Sequence, residues 1–128
     1  MRILKGVVLH NLKRPMRKAL MVCDEVFEKV GLEFVVTSGQ EGQHWAGSLH
    51  FYGYAFDGRR YPYGEIMLPV GVSMEEILQL IRAKLGPEYD VILEPNHFHV
   101  EWDKAKELFD AGSLSEVFDW LALLAQKG

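Results

Sequence analysis

Residues 89–102 read Tyr89-Asp90-Val91-Ile92-Leu93-Glu94-Pro95-Asn96-His97-Phe98-His99-Val100-Glu101-Trp102. Two runs rich in β-branched and aromatic residues, 89–93 and 97–102, are joined at Pro95-Asn96, which predicts two strands that pair as a hairpin. Side chains alternate faces along a strand. His97, His99 and Glu101 therefore share one face of the second strand, and Phe98, Val100 and Trp102 share the other. The aromatic and aliphatic face is the core face. A face with two imidazoles and a carboxylate belongs against solvent or in a polar site. An HxH strand suits zinc, because imidazole is a good ligand and the strand fixes its aim.

Upstream of this hairpin the pattern changes to a helical period. Ile77, Leu78, Leu80, Ile81 and Leu85 form a buried face. Ser73 and Glu76 make a capping box ahead of them, and Gly86-Pro87 ends the helix. A second helix is predicted over 13–30 from Met16, Leu20, Val22, Val26, Phe27 and Val30, stopped by Gly31. Leu32 to Thr37 and Tyr54 to Asp57 read as short strands. Ser38 to Gly47 reads as a loop, Gly58 to Gly64 as a turn, and Glu65 to Val70 as a short strand or irregular segment. From Lys104 onward the period is helical again, through Leu108, Phe109, Leu114, Val117, Phe118, Leu121 and Leu124. Helices bracket a small sheet whose strands are near neighbours in sequence, so the expected class is α+β with a mostly antiparallel sheet.

The chain has 128 residues, 48% of them hydrophobic and 25% charged, enough for one domain over 1–128 with a real core. There is no linker-like stretch, repeat or low-complexity tract. The formal charge of −4 argues against sequence-independent nucleic-acid binding, which needs a basic surface. The basic group Lys13, Arg14, Arg17 and Lys18 reads as the solvated start of a helix. No run reaches membrane-spanning length, so no membrane insertion is expected. The apolar run at 1–10 is too short for a secretory signal, so synthesis in the cytoplasm without an export signal is expected. The single cysteine, Cys23, has no partner for a disulfide or a CxxC site, so any metal is held by histidines and carboxylates. Cys23 itself reads as a buried helix position rather than a nucleophile.

Four of the five histidines fall in two segments, 44–50 and 97–99. An open zinc site takes about three N or O ligands and a water. The stretch Ser48-Leu49-His50-Phe51-Tyr52-Gly53-Tyr54-Ala55-Phe56-Asp57 can complete one, with Gly53 permitting a tight turn between His50 and Asp57 and small Ala55 leaving room beside Asp57. Spacing alone leaves a metal site and a chance arrangement both open.

Those same residues carry a resemblance. Ser48-x-His50-x-x-Gly53-x-Ala55-x-Asp57 matches the SxHxxGxAxD pattern of the zinc D-alanyl-D-alanine carboxypeptidases and L-alanyl-D-glutamate endopeptidases. These bacterial and phage enzymes share a fold with the amino-terminal signalling domain of hedgehog proteins. The late HxH of the family is matched by His97-Phe98-His99, and the run Val100-Glu101-Trp102-Asp103 resembles small phage-encoded members. The resemblance covers roughly residues 36–102. It implies zinc ligands His50, Asp57 and His99, a water activated by metal and carboxylate, and a peptidoglycan stem peptide or crosslink as substrate. It is compatible with a lytic protein acting at the cell wall after release, a bacterial remodelling enzyme, or a component of a phage particle.

Two departures stand beside the match. The family places Asp or Glu three residues before the last histidine, as general base; here that residue is Asn96. Glu94, Glu101 and His97 are the substitutes, with Glu94 favoured as base, His97 as proton shuttle, and Glu101 alternatively orienting a ligand histidine. The loop before the first motif also lacks the family arginine. Gln40, or Arg59 or Arg60, is expected to supply that contact, with Ser48 fixing the loop. His44, Trp45, Tyr52, Tyr54, Tyr61 and Tyr63 are placed near the cleft, about half of the tyrosines belonging to the core. The alternatives to an enzyme are a zinc-containing binding module of the same fold with catalysis lost, and a structural virion protein braced by its metal.

Overall fold

The computed structural model of the chain describes residues 1–41 and 53–103. The hairpin forms as its alternation requires. Tyr89–Leu93 (β4) pairs antiparallel with His97–Trp102 (β5), with Ile92 opposite His99 and Asp90 opposite Glu101. Phe98, Val100 and Trp102 are buried, while His97, His99 and Glu101 are half-buried on the other face.

Three further strands complete the sheet: Arg2–Ile3 (β1), Val35–Ser38 (β2) and Ala55–Arg59 (β3). The order is β1-β2-β3-β5-β4. β1 runs parallel to β2, and every other pairing is antiparallel. The expected α+β class holds, with a mixed five-stranded sheet. The short β1 lies outside the sequence-derived strands because two exposed residues carry no hydrophobic period; the backbone bonds of Arg2 and Leu4 to Phe34 and Val36 create it.

Arg14–Lys29 (α1) and Met74–Leu85 (α2) pack on each other and on the same face of the sheet. In α1 the buried stripe is Met16, Ala19, Leu20, Cys23, Val26 and Phe27. Cys23 is fully buried, and burial pushes its thiol far above the ordinary range, which makes it inert as a nucleophile. At the head of α2, Ser73 Oγ accepts from Glu76 N at 3.1 Å. Acidic Glu75 and Glu76 in the first turn and basic Arg82 and Lys84 in the last complement the helix dipole. Leu80, expected on the buried face, is 50% exposed. The buried stripe needs Ile77, Leu78, Ile81 and Leu85, and position 80 falls outside its arc.

The core between helices and sheet is aromatic. Phe27 stacks on Phe34 and Phe98 with centroids 5.7 and 5.6 Å apart. The Phe98 ring lies over Gly58, its cross-strand partner; a Cβ there would sit 2.3 Å from the ring. This close approach explains why β3 continues through Gly58 to Arg59 where a turn was expected. The following segment has no strand over 65–70, only a bridge between Tyr63 and Ile66. No helix among the described residues is long and apolar enough to cross a membrane. The helical period expected from Lys104 onward lies outside the described residues.

Candidate metal centre

With both described helices on one face of the sheet, the opposite face of β3, β5 and β4 carries the polar residues. β3 and β5 pair so that Asp57 is directly opposite His99, Ala55 opposite Glu101 and Arg59 opposite His97. Two residues 42 apart in sequence thereby meet: His99 Nδ1 lies 2.9 Å from Asp57 Oδ1. The other ring nitrogen, Nε2, lies 3.1 Å from Glu101 Oε1. Asp57, His99 and Glu101 have side chains 16%, 18% and 13% exposed, so little solvent screens them.

Both ring nitrogens of His99 thus face carboxylates. A carboxylate accepting from Nε2–H fixes the tautomer and leaves Nδ1 as donor to a metal. Nδ1 and Oδ1 are adjacent, 2.9 Å apart, and would be the atoms offered to a metal ion. The donor set of one imidazole and one carboxylate fits zinc. The third expected ligand, His50, lies outside the described residues, as do His44, Trp45, Ser48 and Tyr52.

Without metal the same contacts favour the protonated ring. Burial alone would lower the His99 pKa, but the hydrogen bonds to Asp57 and Glu101 outweigh it and raise it to about 9. The ring's ordinary value is about 6.5. A raised folded-state pKa stabilises fully below the unfolded value and is lost as pH climbs through the folded one. The urea midpoint of chelator-treated protein is therefore expected to fall between about pH 6.5 and pH 9. A flat midpoint across that window would contradict the paired imidazolium.

His97 sits on the same face and is turned by its neighbour. Asn96 Oδ1 lies 2.6 Å from His97 Nδ1, the geometry of an amide oxygen accepting the Nδ1 proton. Nε2 points toward Asp57 Oδ1 at 3.7 Å. The asparagine that replaces the expected carboxylate thus serves as the orienter of His97. Glu94 N donates to His97 O at 2.9 Å, extending the β4–β5 register by one pair. This puts Glu94 on the His97 face.

Three positions of the first motif are described: Gly53, Ala55 and Asp57. Gly53 adopts φ +80°, and its missing Cβ lets Asn11 O approach to where a methyl would sit at 2.4 Å. Its carbonyl accepts from Lys13 N at 3.1 Å, tying β3 to the start of α1. Ala55 is fully buried beside Glu101. Tyr54 and Tyr61 are core residues, and Tyr63 is half-exposed.

The loop entering the first motif is pinned at its described end. Glu41 accepts from Val8 N, Gly39 N and Ser38 Oγ at 3.0, 2.7 and 2.9 Å. Partial burial would raise its pKa, yet the backbone N–H groups of Val8, Glu41 and Gly39 and the Ser38 hydroxyl hold it below the ordinary value. Ser38 pairs with Asp57 in the sheet, so the clip abuts the site. Gln40 Oε1 accepts from Asn11 N at 3.0 Å, which leaves its amide NH2 as its donor group. Arg59 is 7% exposed with its guanidinium carbon 3.7 Å over the Tyr63 ring, and Arg60 donates to Glu94 O at 2.7 Å.

A second donor set adjoins the first. Asp90, Glu101 and Asp103 bring carboxylate oxygens within 4.8 Å of one another and could hold a metal ion. An all-oxygen set suits a hard cation better than zinc. Asp90 was legible in advance, because a hairpin closed at Pro95-Asn96 pairs residues 90 and 101; the missing signal was the exact register. No family model matches this chain, and no curated protein or solved structure matches it.

Proposed function

We propose that the chain is a zinc-dependent peptidase of bacterial peptidoglycan, with the fold of the D-alanyl-D-alanine peptidases and hedgehog signalling domains. The observation that carries this reading is the Asp57–His99 pair, set face to face across β3 and β5 with Glu101 on the far nitrogen of the ring. Asp57 and His99 hold the metal together with His50. Zinc bound there supplies Lewis acidity toward a peptide carbonyl and a water.

The remaining roles belong to side chains on the same face. Glu101 keeps His99 in the ligating tautomer. Glu94 takes the proton from the attacking water as general base. His97, held by Asn96 through Nδ1, offers Nε2 to shuttle that proton toward the leaving amine. Ser48, Gln40 and Arg59 serve the substrate. The setting is the cell wall, reached after release from the cytoplasm or from a phage particle.

Zinc-loaded protein incubated with purified peptidoglycan is expected to release free amines. Glu94→Gln is expected to slow this by roughly 10²–10⁴-fold, the usual worth of a general base, at unchanged zinc content. Full activity in Glu94→Gln would pass the base role to Glu101. A binding module with catalysis lost is the second reading. It is favoured by one observation: at the usual base position stands an amide already committed to His97. Failure of wild-type protein to cleave wall preparations across metals and pH, with zinc bound, would select it.

A further inference from the structure

One short segment, Val8 to Lys13, ties down both flanks of the stretch that carries His50. On the upstream flank Val8 N donates to Glu41 Oε1 at 3.0 Å, and Val8 O accepts from Gln40 N at 2.8 Å. Asn11 N donates to Gln40 Oε1 at 3.0 Å. Gly39 lies so near Val8 that a Cβ would stand 2.4 Å from its carbonyl oxygen. On the downstream flank Lys13 N donates to Gly53 O at 3.1 Å, and a Cβ on Gly53 would again stand 2.4 Å from a carbonyl oxygen, that of Asn11. Leu12, between these contacts, is buried in the core, and Val7 and Leu9 pack against that core. The segment is therefore itself anchored.

Glu41 gathers the upstream contacts. Its Oε1 also accepts from Gly39 N at 2.7 Å, and its Oε2 accepts from Ser38 Oγ at 2.9 Å. An ionised carboxylate offers only acceptors, so three converging donors suit it. Ser38 is the sheet partner of Asp57, across an irregularity in the β2–β3 register between Val36 and Ser38. The ladder is disrupted at such a point, and the side-chain clip takes over the holding of the strand end.

Residues 42–52 form the stretch between the tied ends, and His50 belongs to it. Closing a loop costs conformational entropy, and a ligand group is bound at less cost when the ends of its stretch already stand in fixed places. We infer that Glu41 is a positioning residue of the metal centre: by fastening the end of β2 to Val8 it fixes, together with Gly53, where the His50-bearing stretch leaves and rejoins the sheet beside Asp57. This rests on the zinc reading above and concerns affinity for the metal. Glu41 itself is no ligand; its carboxylate is spent on Val8, Gly39 and Ser38.

The test is a double-mutant cycle on the whole chain, read as zinc affinity by competition with a chelating dye. Wild type, Glu41→Ala, His50→Ala and the double variant are compared. Glu41→Ala is expected to weaken zinc binding about 10-fold, the lower end of what partners outside the ligand set contribute. In the His50→Ala background the same substitution is expected to cost less than about 2-fold, because the ligand it serves is gone. A merely structural glutamate would lower the melting temperature and shift zinc affinity by one factor in both backgrounds. Glu41→Gln carries the same cycle where Glu41→Ala does not fold. It keeps an oxygen for Val8 and Gly39 and sets an amide against the Ser38 hydroxyl, so its loss is expected to be smaller, about 3-fold.

Equal losses in the two backgrounds, or no loss in either, overturn the inference. The two readings fail separately. When His50→Ala lowers zinc affinity and Glu41→Ala adds the same factor with or without His50, the metal centre stands and the positioning role falls. When wild type and His50→Ala bind zinc equally, the three-ligand centre falls and takes the role of Glu41 with it.

Discussion

His99→Ala protein is expected to leave gel filtration essentially free of zinc, with affinity lowered at least about 100-fold. That floor follows from the 10–100-fold that even outer partners of a ligand contribute. Asp57→Ala is expected to match it, since the two residues face each other across the sheet with Oδ1 and Nδ1 2.9 Å apart. Under the proposed function, amine release from peptidoglycan is expected to fall with the metal in both. Asp90→Asn is the discriminating control. Asp90 belongs to the carboxylate group with Glu101 and Asp103 and is not in the pair. Its loss should leave zinc at wild-type content while weakening any harder cation held by those oxygens. Elemental analysis of the three proteins decides the point. Zinc kept in His99→Ala and lost in Asp90→Asn would move the metal to the acidic group and end the peptidase reading.

Gly53→Ala carries the largest expected cost to folding. At φ +80° an L-residue pays roughly 1–2 kcal/mol for the left-handed conformation. The new methyl would also stand 2.4 Å from Asn11 O and 3.2 Å from Asn11 C. Those are backbone atoms, so the clash cannot be relieved by rotating a side chain, and it adds about 1–3 kcal/mol. Relief by moving Asn11 would strain the Lys13–Gly53 hydrogen bond that anchors α1. The total, about 2–5 kcal/mol, is a large share of the usual 5–15 kcal/mol of a domain. Gly31→Ala is the control: it shares the positive φ, +80°, but its Cβ would meet nothing within 4 Å. It is expected to cost roughly 1–2 kcal/mol, the left-handed conformation alone. Urea melts that show the two variants equally stable would mean that the β3 entry does not need the close approach at Asn11.

The β4–β5 hairpin, both described helices and the single inert thiol were legible from residue types, because alternation, helical period and capping are local properties written along one stretch of chain. So was the facing of His97, His99 and Glu101, which needs only the two-residue period of a strand. The class followed from these elements in order. What the chain could not disclose locally was pairing. That Asp57 meets His99 and that Gly58 makes room for Phe98 both depend on the register between segments up to 42 residues apart. Register is set by burying one whole face against α1 and α2, a global condition. Arg59 shows the same limit most clearly. The residue types leave Arg59 and Arg60 interchangeable as candidates for a substrate contact, and only the packed structure takes Arg59 out of water and seats it against Tyr63. Burial is a property of the assembled fold, so the residues whose chemistry depends on losing solvent are the ones that tertiary structure alone could assign.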